Sequence, residues 1–161
     1  MIGDLLDLSR IEEGAICKES ILLQPEQVLM NVVEFLKTQA EAKQLSLDLK
    51  VPDQSLPAFT ADPLALESIL GNLISNAINY TPSGGQIHVT ADQVGINLRI
   101  VVKDTGLGIE PQYINKIFDR FYRADPSRTR NTGGTGLGLA IVKTFVEAFC
   151  GRVTMSSQGL G

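Results

Sequence analysis

Asn72, Asn76 and Asn79 stand four and then three residues apart, the spacing that gathers side chains on one flank of an α-helix. Asparagine is a poor choice for a helix interior, because its amide competes for backbone hydrogen bonds. A stripe of them therefore asks for a partner. Two readings suit it: solvated side chains, or a row of amide oxygens and nitrogens turned toward a polar ligand or a hydrated cation. Magnesium prefers oxygen ligands and keeps several waters, so one amide oxygen is enough where phosphates supply the rest. Tyr80 follows on the same side, and its ring could cover a planar base.

Two glycine loops come later. In Asp104-Thr105-Gly106-Leu107-Gly108-Ile109, the carboxylate ends a strand pattern and could accept a hydrogen bond from an exocyclic amine such as that of adenine. The glycines would let backbone approach a flat ring closely, although an ordinary turn uses the same residues. Gly134-Thr135-Gly136-Leu137-Gly138 leads directly into a helical pattern. Backbone N–H groups there can wrap phosphates, and a helix N-terminus favours negative charge. No Lys-Ser or Lys-Thr follows these glycines and no strand leads straight into them, which excludes a Walker loop and a dinucleotide fingerprint. Between the loops, residues 119–133 carry Arg120, Arg123, Arg128 and Arg130 against Asp119 and Asp125. Such a long, polar, locally basic segment suits a lid over phosphates, or a solvated loop.

The elements that must position these residues are readable from periodicity. Ile2, Leu5, Leu6 and Ile11 give a short helical stripe over Met1 to Glu13, the end of a longer helix, and a linker or short edge strand runs to Ser20. Pro25 opens a helix with Val28, Leu29, Val32, Val33 and Leu36 at helical spacing. Leu45, Leu47, Leu49 and Val51 alternate with polar residues as a half-buried strand. A helix over Pro63 to Tyr80 is stopped by Thr81-Pro82-Ser83-Gly84-Gly85. Ile87, Val89 and Ala91 form a strand whose hairpin partner carries Ile96, Leu98, Ile100 and Val102 across a turn at Gly95. A short helix ends near Phe118. A last helix carries Ile141, Val142, Phe145 and Phe149, and Val153 to Ser157 begins a strand. Helices on one face of a mixed, mostly antiparallel sheet make a two-layer α+β sandwich.

Composition sets the frame. The 161 residues are 43% hydrophobic with net charge −4, enough for one domain with an apolar core and no global pull toward nucleic acid. Cys17 and Cys150 have no metal-ligand spacing and read as reduced thiols, hence a cytoplasmic setting. No stretch reaches the ~20 apolar residues of a membrane span, although a parent protein could be anchored elsewhere.

Taken together, four segments in order resemble the N, G1, F and G2 boxes of bacterial sensor histidine kinases. They are Asn72-x-x-x-Asn76-Ala77-x-x-Tyr80-Thr81, Asp104-Thr105-Gly106-Leu107-Gly108-Ile109, Phe118-Asp119-Arg120-Phe121-Tyr122-Arg123 and Gly134-Thr135-Gly136-Leu137-Gly138-Leu139. Asp4-Leu5-Leu6-Asp7-Leu8-Ser9-Arg10-Ile11-Glu12 resembles the end of the second helix of that family's dimerisation hairpin. The resemblance implies residues 1–20 as hairpin end and linker, and 21–161 as an ATP-binding catalytic domain lacking its last strand. The fold would be the sandwich shared with gyrase, chaperone and mismatch-repair ATPases. The implied ligands are ATP and Mg²⁺. Asn76 would hold the metal, and Asn72 would contact the phosphate or metal region. Tyr80 would cover the adenine and Asp104 bind its amino group, with Gly106, Gly108 and Ile109 shaping that pocket. Gly134, Thr135, Gly136, Leu137 and Gly138 would wrap the phosphates, and Arg123 or a later lid arginine would neutralise the γ-phosphate. Asn79 departs from the family, which often has a basic residue there, and Phe149-Cys150-Gly151 replaces a frequent His-Gly-Gly.

The implied partners are a histidine-bearing dimerisation hairpin and a response regulator receiver domain, within a homodimeric parent. His88, the chain's one histidine, alternates with Ile87 and Val89 and reads as a surface residue on a strand. An ATP hydrolase is the first alternative. Its relatives carry a glutamate base four residues before the metal-binding asparagine, where this chain has Asn72. A nucleotide-sensing pseudokinase module is the second.

Overall fold

The computed structural model describes residues 7, 9, 11, 20–52, 56–123 and 135–159. Strand β1 (Ile21–Leu23) leads into helix α1 (Pro25–Ala42), then strands β2 (Ser46–Lys50) and β3 (Phe59–Ala61). Helix α2 (Pro63–Tyr80), strands β4 (Gln86–Val94) and β5 (Asn97–Asp104), a 3-10 turn (Pro111–Tyr113) and helix α3 (Gly138–Ala148) complete the order. One sheet has the order β2-β4-β5, with β2 parallel and β5 antiparallel to β4. A separate antiparallel ribbon pairs β1 with β3.

Alternation along β4 sets the layers. Ile87, Val89 and Ala91 are buried, while His88, Thr90 and Asp92 are half-exposed on the other face. The inward set joins Leu47 of β2 and meets Leu29, Val33 and Leu36 of α1 and Leu66, Leu70, Ile74 and Ala77 of α2 in one apolar cluster. A second cluster, of Ala65, Ile69, Leu137, Ile141, Val142 and Phe145, joins α2 to α3. Thus α2 is shared by both cores. The expected two-layer sandwich is what forms, with helices on one face of a mixed sheet.

Helix α2 is fixed at both ends. Asp62 is 1% exposed and its Oδ1 accepts from the N–H groups of Leu64 at 3.0 Å and Ala65 at 3.3 Å, with Pro63 opening the first turn. At the other end, Lys43 Nζ donates to the carbonyls of Ile78 at 2.7 Å and Asn79 at 2.8 Å, placing a cation at the negative pole of the helix. This end of α2 carries Asn76, Asn79 and Tyr80.

Some expectations are corrected. Ile96 lies in the hairpin turn and is 96% exposed, because the turn takes Gly95 and Ile96 together. Val51 falls outside β2. The segment ending near Phe118 is a 3-10 turn followed by further turns rather than a helix. Residues 153–157 form no strand: Val153, Met155 and Ser157 keep the alternating half-buried pattern, but no backbone ladder meets them among the described residues. Of the expected first helix, Asp7, Ser9 and Ile11 are helical; the rest, and the linker at 12–19, lie outside the described residues. No helix among them is long and apolar enough to cross a membrane.

Asp62→Ala removes the cap and should destabilise the chain by about 1–2 kcal/mol. A chemical-denaturation midpoint that stays at the wild-type value would show that the cap is dispensable.

Candidate functional site

The apolar face of α2 is spent on two cores, so its remaining flank is free for polar work. Asn72, Asn76 and Asn79 are half-buried along it and Tyr80 is 45% exposed at its end. Asn72 is anchored: its Nδ2 donates to the Ser68 carbonyl at 2.9 Å and to Ser68 Oγ at 3.3 Å. The side-chain amides of Asn76 and Asn79 hold no hydrogen bond among the described residues. Asn76 therefore offers an unspent, partly shielded amide oxygen, a fit for one ligand position on a hard cation.

The first glycine loop is sewn to the end of this helix. Strand β5 delivers Asp104, whose Oδ1 accepts from Gly106 N–H at 2.8 Å. Leu107 N–H donates to the Tyr80 carbonyl at 3.2 Å, and Thr105 N–H to the Gln86 carbonyl at 3.0 Å. Asp104 is exposed, so its second oxygen remains available as an acceptor. Gly108 turns the chain at φ +72°, and a Cβ there would run into the Gly159 carbonyl. Ile109 is half-buried and its N–H donates to Ser157 Oγ at 2.9 Å. The stretch after Phe149 therefore closes the outer side of this loop without forming a strand.

The second loop reaches α2 from the other direction. Helix α3 begins at Gly138, its N-cap Leu137 makes no side-chain cap and its first turn holds no acidic residue. Thr135 Oγ1 accepts from Leu137 N–H at 3.2 Å, which curls the approach to the helix. The opening N–H groups of α3 are left without a capping side chain, an arrangement that favours an anion. Gly138 sits against Asn72: a Cβ built on it would lie 2.5 Å from the Asn72 amide oxygen. Asn72, Asn76, Tyr80, Asp104 and the loop from Thr135 to Gly138 thus border one stretch of α2. Gly134 and residues 124–133, the segment expected to form a lid, lie outside the described residues.

Ahead of residues 124–133, Phe121 N–H donates to the Gly136 carbonyl at 2.9 Å. Phe121 is 70% exposed and takes φ +62°, a conformation costly for a bulky side chain. Tyr122 packs toward Tyr113 with ring centroids 6.4 Å apart. Burial, then the Tyr113 phenol and the Asp119 carboxylate, hold the Tyr122 hydroxyl above its ordinary pKa. Arg120 and Arg123 are each engaged with another group, so neither stands as an unpaired cation. His88 lies on the face of the sheet opposite the helices, across the ladder from Lys103, with Nδ1 3.8 Å from Asp48 Oδ2.

Sequence reasoning missed Lys43, Ser68 and the backbone of Phe121. Lys43 acts across the fold, with no local pattern to announce it. A cavity of about 450 Å³ between α1 and β2, bordered by Gln27, Asn31, Lys37 and Leu47, contains none of the site residues.

Comparison with known proteins follows the same outline. Residues 61–161 match the family model described as histidine kinase-, DNA gyrase B- and HSP90-like ATPase. The whole chain is 37% identical to 33% of the sensor histidine kinase CusS of Escherichia coli strain K12. Over 98% of the chain, identity to 41% of the sensor-like histidine kinase SenX3 of Mycolicibacterium smegmatis is 34%. The chain spans about a third of the length of the first curated relatives it matches. Among solved structures, full-length ShkA in complex with AMPPNP has a TM-score of 0.82 at 30% identity, covering 99% of this chain and 33% of that one. The mycobacterial sensor histidine kinase MprB has a TM-score of 0.71 at 27% identity, over 84% and 83% of the two chains.

Two glycine substitutions should separate the constrained loop from the helix. Gly108→Ala meets both a positive φ and a backbone carbonyl, and should cost about 1–3 kcal/mol of stability. Gly71→Ala, inside α2 with nothing within 4 Å of the added Cβ, should add about 0.5–1 kcal/mol. Equal denaturation midpoints for the two variants would contradict the geometry of the loop.

Proposed function

Given that the chain belongs to the family of histidine kinase-, DNA gyrase B- and HSP90-like ATPases, we propose that it is the catalytic domain of a two-component sensor histidine kinase. In this reading it binds Mg-ATP and passes the γ-phosphoryl group to a histidine on a separate dimerisation hairpin, from which a response regulator receiver domain takes it. The observation that carries the reading is the meeting of both glycine loops on the asparagine flank of α2, through Leu107 on Tyr80 and Gly138 on Asn72.

The roles follow from chemistry. The free oxygen of Asp104 accepts the exocyclic amine of adenine, Tyr80 covers the ring, and Gly106, Gly108 and Ile109 form the wall beside it. The N–H groups at the start of α3, with the loop from Gly134 to Gly138, receive phosphate oxygens. Asn76 contributes an amide oxygen to Mg²⁺, which neutralises phosphate charge, and Asn72 borders the phosphates. A lid arginine, Arg123 or one further on, balances the γ-phosphate. Transfer forms a bond from the histidine ring nitrogen to phosphorus and breaks the bond to the ADP oxygen. The ring proton leaves to a base outside this chain. Positioning and charge neutralisation do most of the work in such transfers. Asn72 argues against hydrolysis, since a neutral amide cannot take a proton from water as a carboxylate would.

Incubation with γ-labelled ATP should label an added histidine-bearing hairpin and leave this chain unlabelled. Asp104→Asn should weaken AMPPNP binding in titration calorimetry by about 1–3 kcal/mol. Rapid phosphate release by the chain alone, lost on Asn72→Ala, would overturn the kinase reading in favour of a hydrolase.

A further inference from the structure

The last four carbonyls of a helix have no donor inside the helix, and in α2 they belong to Ala77, Ile78, Asn79 and Tyr80. Each finds a partner elsewhere. Ala77 receives the N–H of Thr81 at 3.0 Å. Ile78 cannot be served in the same way, because the residue four further on is Pro82, which has no N–H. Proline also favours extended backbone in the residue before it, and Thr81 adopts φ −88° and ψ 125°. Lys43 Nζ fills the gap from another element, donating to Ile78 at 2.7 Å and to Asn79 at 2.8 Å.

The remaining carbonyl, of Tyr80, would take the N–H of Gly84 if the helix continued. That N–H goes instead to the Gln44 carbonyl at 3.0 Å, and Ser83 Oγ donates to Gln44 Oε1 at 2.6 Å. Gln44 holds a left-handed φ of +59° in the turn by which α1 passes into β2. The Tyr80 carbonyl is left open, and the first glycine loop takes it through Leu107 N–H at 3.2 Å. Gly106 passes so close that a Cβ on it would lie 2.9 Å from the same oxygen. The corner Lys43-Gln44 therefore governs how α2 ends, and the end of α2 governs where the loop after Asp104 sits.

We propose that Lys43 is a positioning residue for the base pocket: it supplies the donor that Pro82 lacks, keeps the last turn of α2 wound, and so holds Tyr80 against the first glycine loop. The inference rests on the ATP reading above, in which Tyr80 and that loop enclose the adenine. Lys43 itself touches no ligand. Without its ammonium, the Ile78 and Asn79 carbonyls lose their donor and turn to water. The last turn then loosens, and Tyr80 loses its register with Leu107. The loss falls on the base end of the nucleotide and leaves the phosphate end, at Gly138 and Asn72, as it was.

The test compares Lys43→Met, which keeps the stem and removes the donors, with Lys43→Arg, which keeps donors on the stem. Amide hydrogen exchange is followed without nucleotide, and Mg-ADP and Mg-AMPPNP affinities are measured by titration calorimetry. In Lys43→Met the Leu107 amide should exchange about tenfold faster, while Thr105, held by the Gln86 carbonyl of β4, keeps its rate. Both nucleotides should bind about three- to tenfold more weakly, with their ratio unchanged, because they carry the same base. Lys43→Arg should restore both readouts. Equal acceleration at Leu107 and Thr105 would overturn the proposal, since it would mark a general loss of stability. So would an unchanged Leu107 rate, or wild-type affinities in a Lys43→Met chain whose Leu107 amide has loosened. A wild-type chain that bound neither nucleotide would overturn the ATP reading instead, and a selective Leu107 response would still support the clamp on α2.

Discussion

Everything at the site depends on α2 being buried along one face while its flank stays polar. Leu66, Leu70, Ile74 and Ala77 close the core under the sheet, and Ala65 and Ile69 close the second core under α3. A helix held from two sides has little freedom to rotate, so the asparagine stripe is presented at a fixed angle. Asp62 and Lys43 add to this from the ends, each placing its charge where the helix dipole favours it. The flank is therefore a rigid wall, and the two glycine loops are fitted to it rather than to each other.

The loops meet that wall by different physics. The first is tied by backbone bonds: β5 sets the position of Asp104, and Leu107 is bonded to the last residue of α2. Its carboxylate keeps one oxygen on its own loop and leaves the residue exposed. The second depends on close approach, because a Cβ on Gly138 would meet the Asn72 amide oxygen and displace it. The result is a polar acceptor at the C-terminal end of α2 and an uncapped helix N-terminus beside its middle, at Asn72. That placement suits the proposed ligand, which has an amine-bearing base at one end and phosphates at the other.

The parts legible in the sequence were those with local causes. Helix α2 was readable from its apolar period and its Thr-Pro-Ser-Gly-Gly stop, and the β4–β5 hairpin from alternation around Gly95. The glycine loops were readable because glycine has a backbone meaning wherever the chain must come close. The asparagine stripe was readable because asparagines in a helix need an explanation. What stayed hidden was tertiary. Lys43 reaches α2 from the end of α1, 35 residues away from Ile78, and the contact of Asp7 with Ser68 spans 61 residues. The expected strand at 153–157 has the right alternation, but a strand also needs a neighbouring ladder, which its own residues cannot supply. Phe121 gives no hint in its type of the left-handed backbone that it adopts.

The central claim is that one helix flank and two glycine loops form a single nucleotide site. Mapping backbone amide NMR shifts on addition of Mg-AMPPNP addresses it directly. The largest changes are expected together at Asn76, Tyr80, Gly106 to Ile109 and Thr135 to Ala140, with the groove bordered by Gln27, Asn31 and Lys37 unmoved. Changes concentrated in that groove, or at one loop without the other, would contradict the claim.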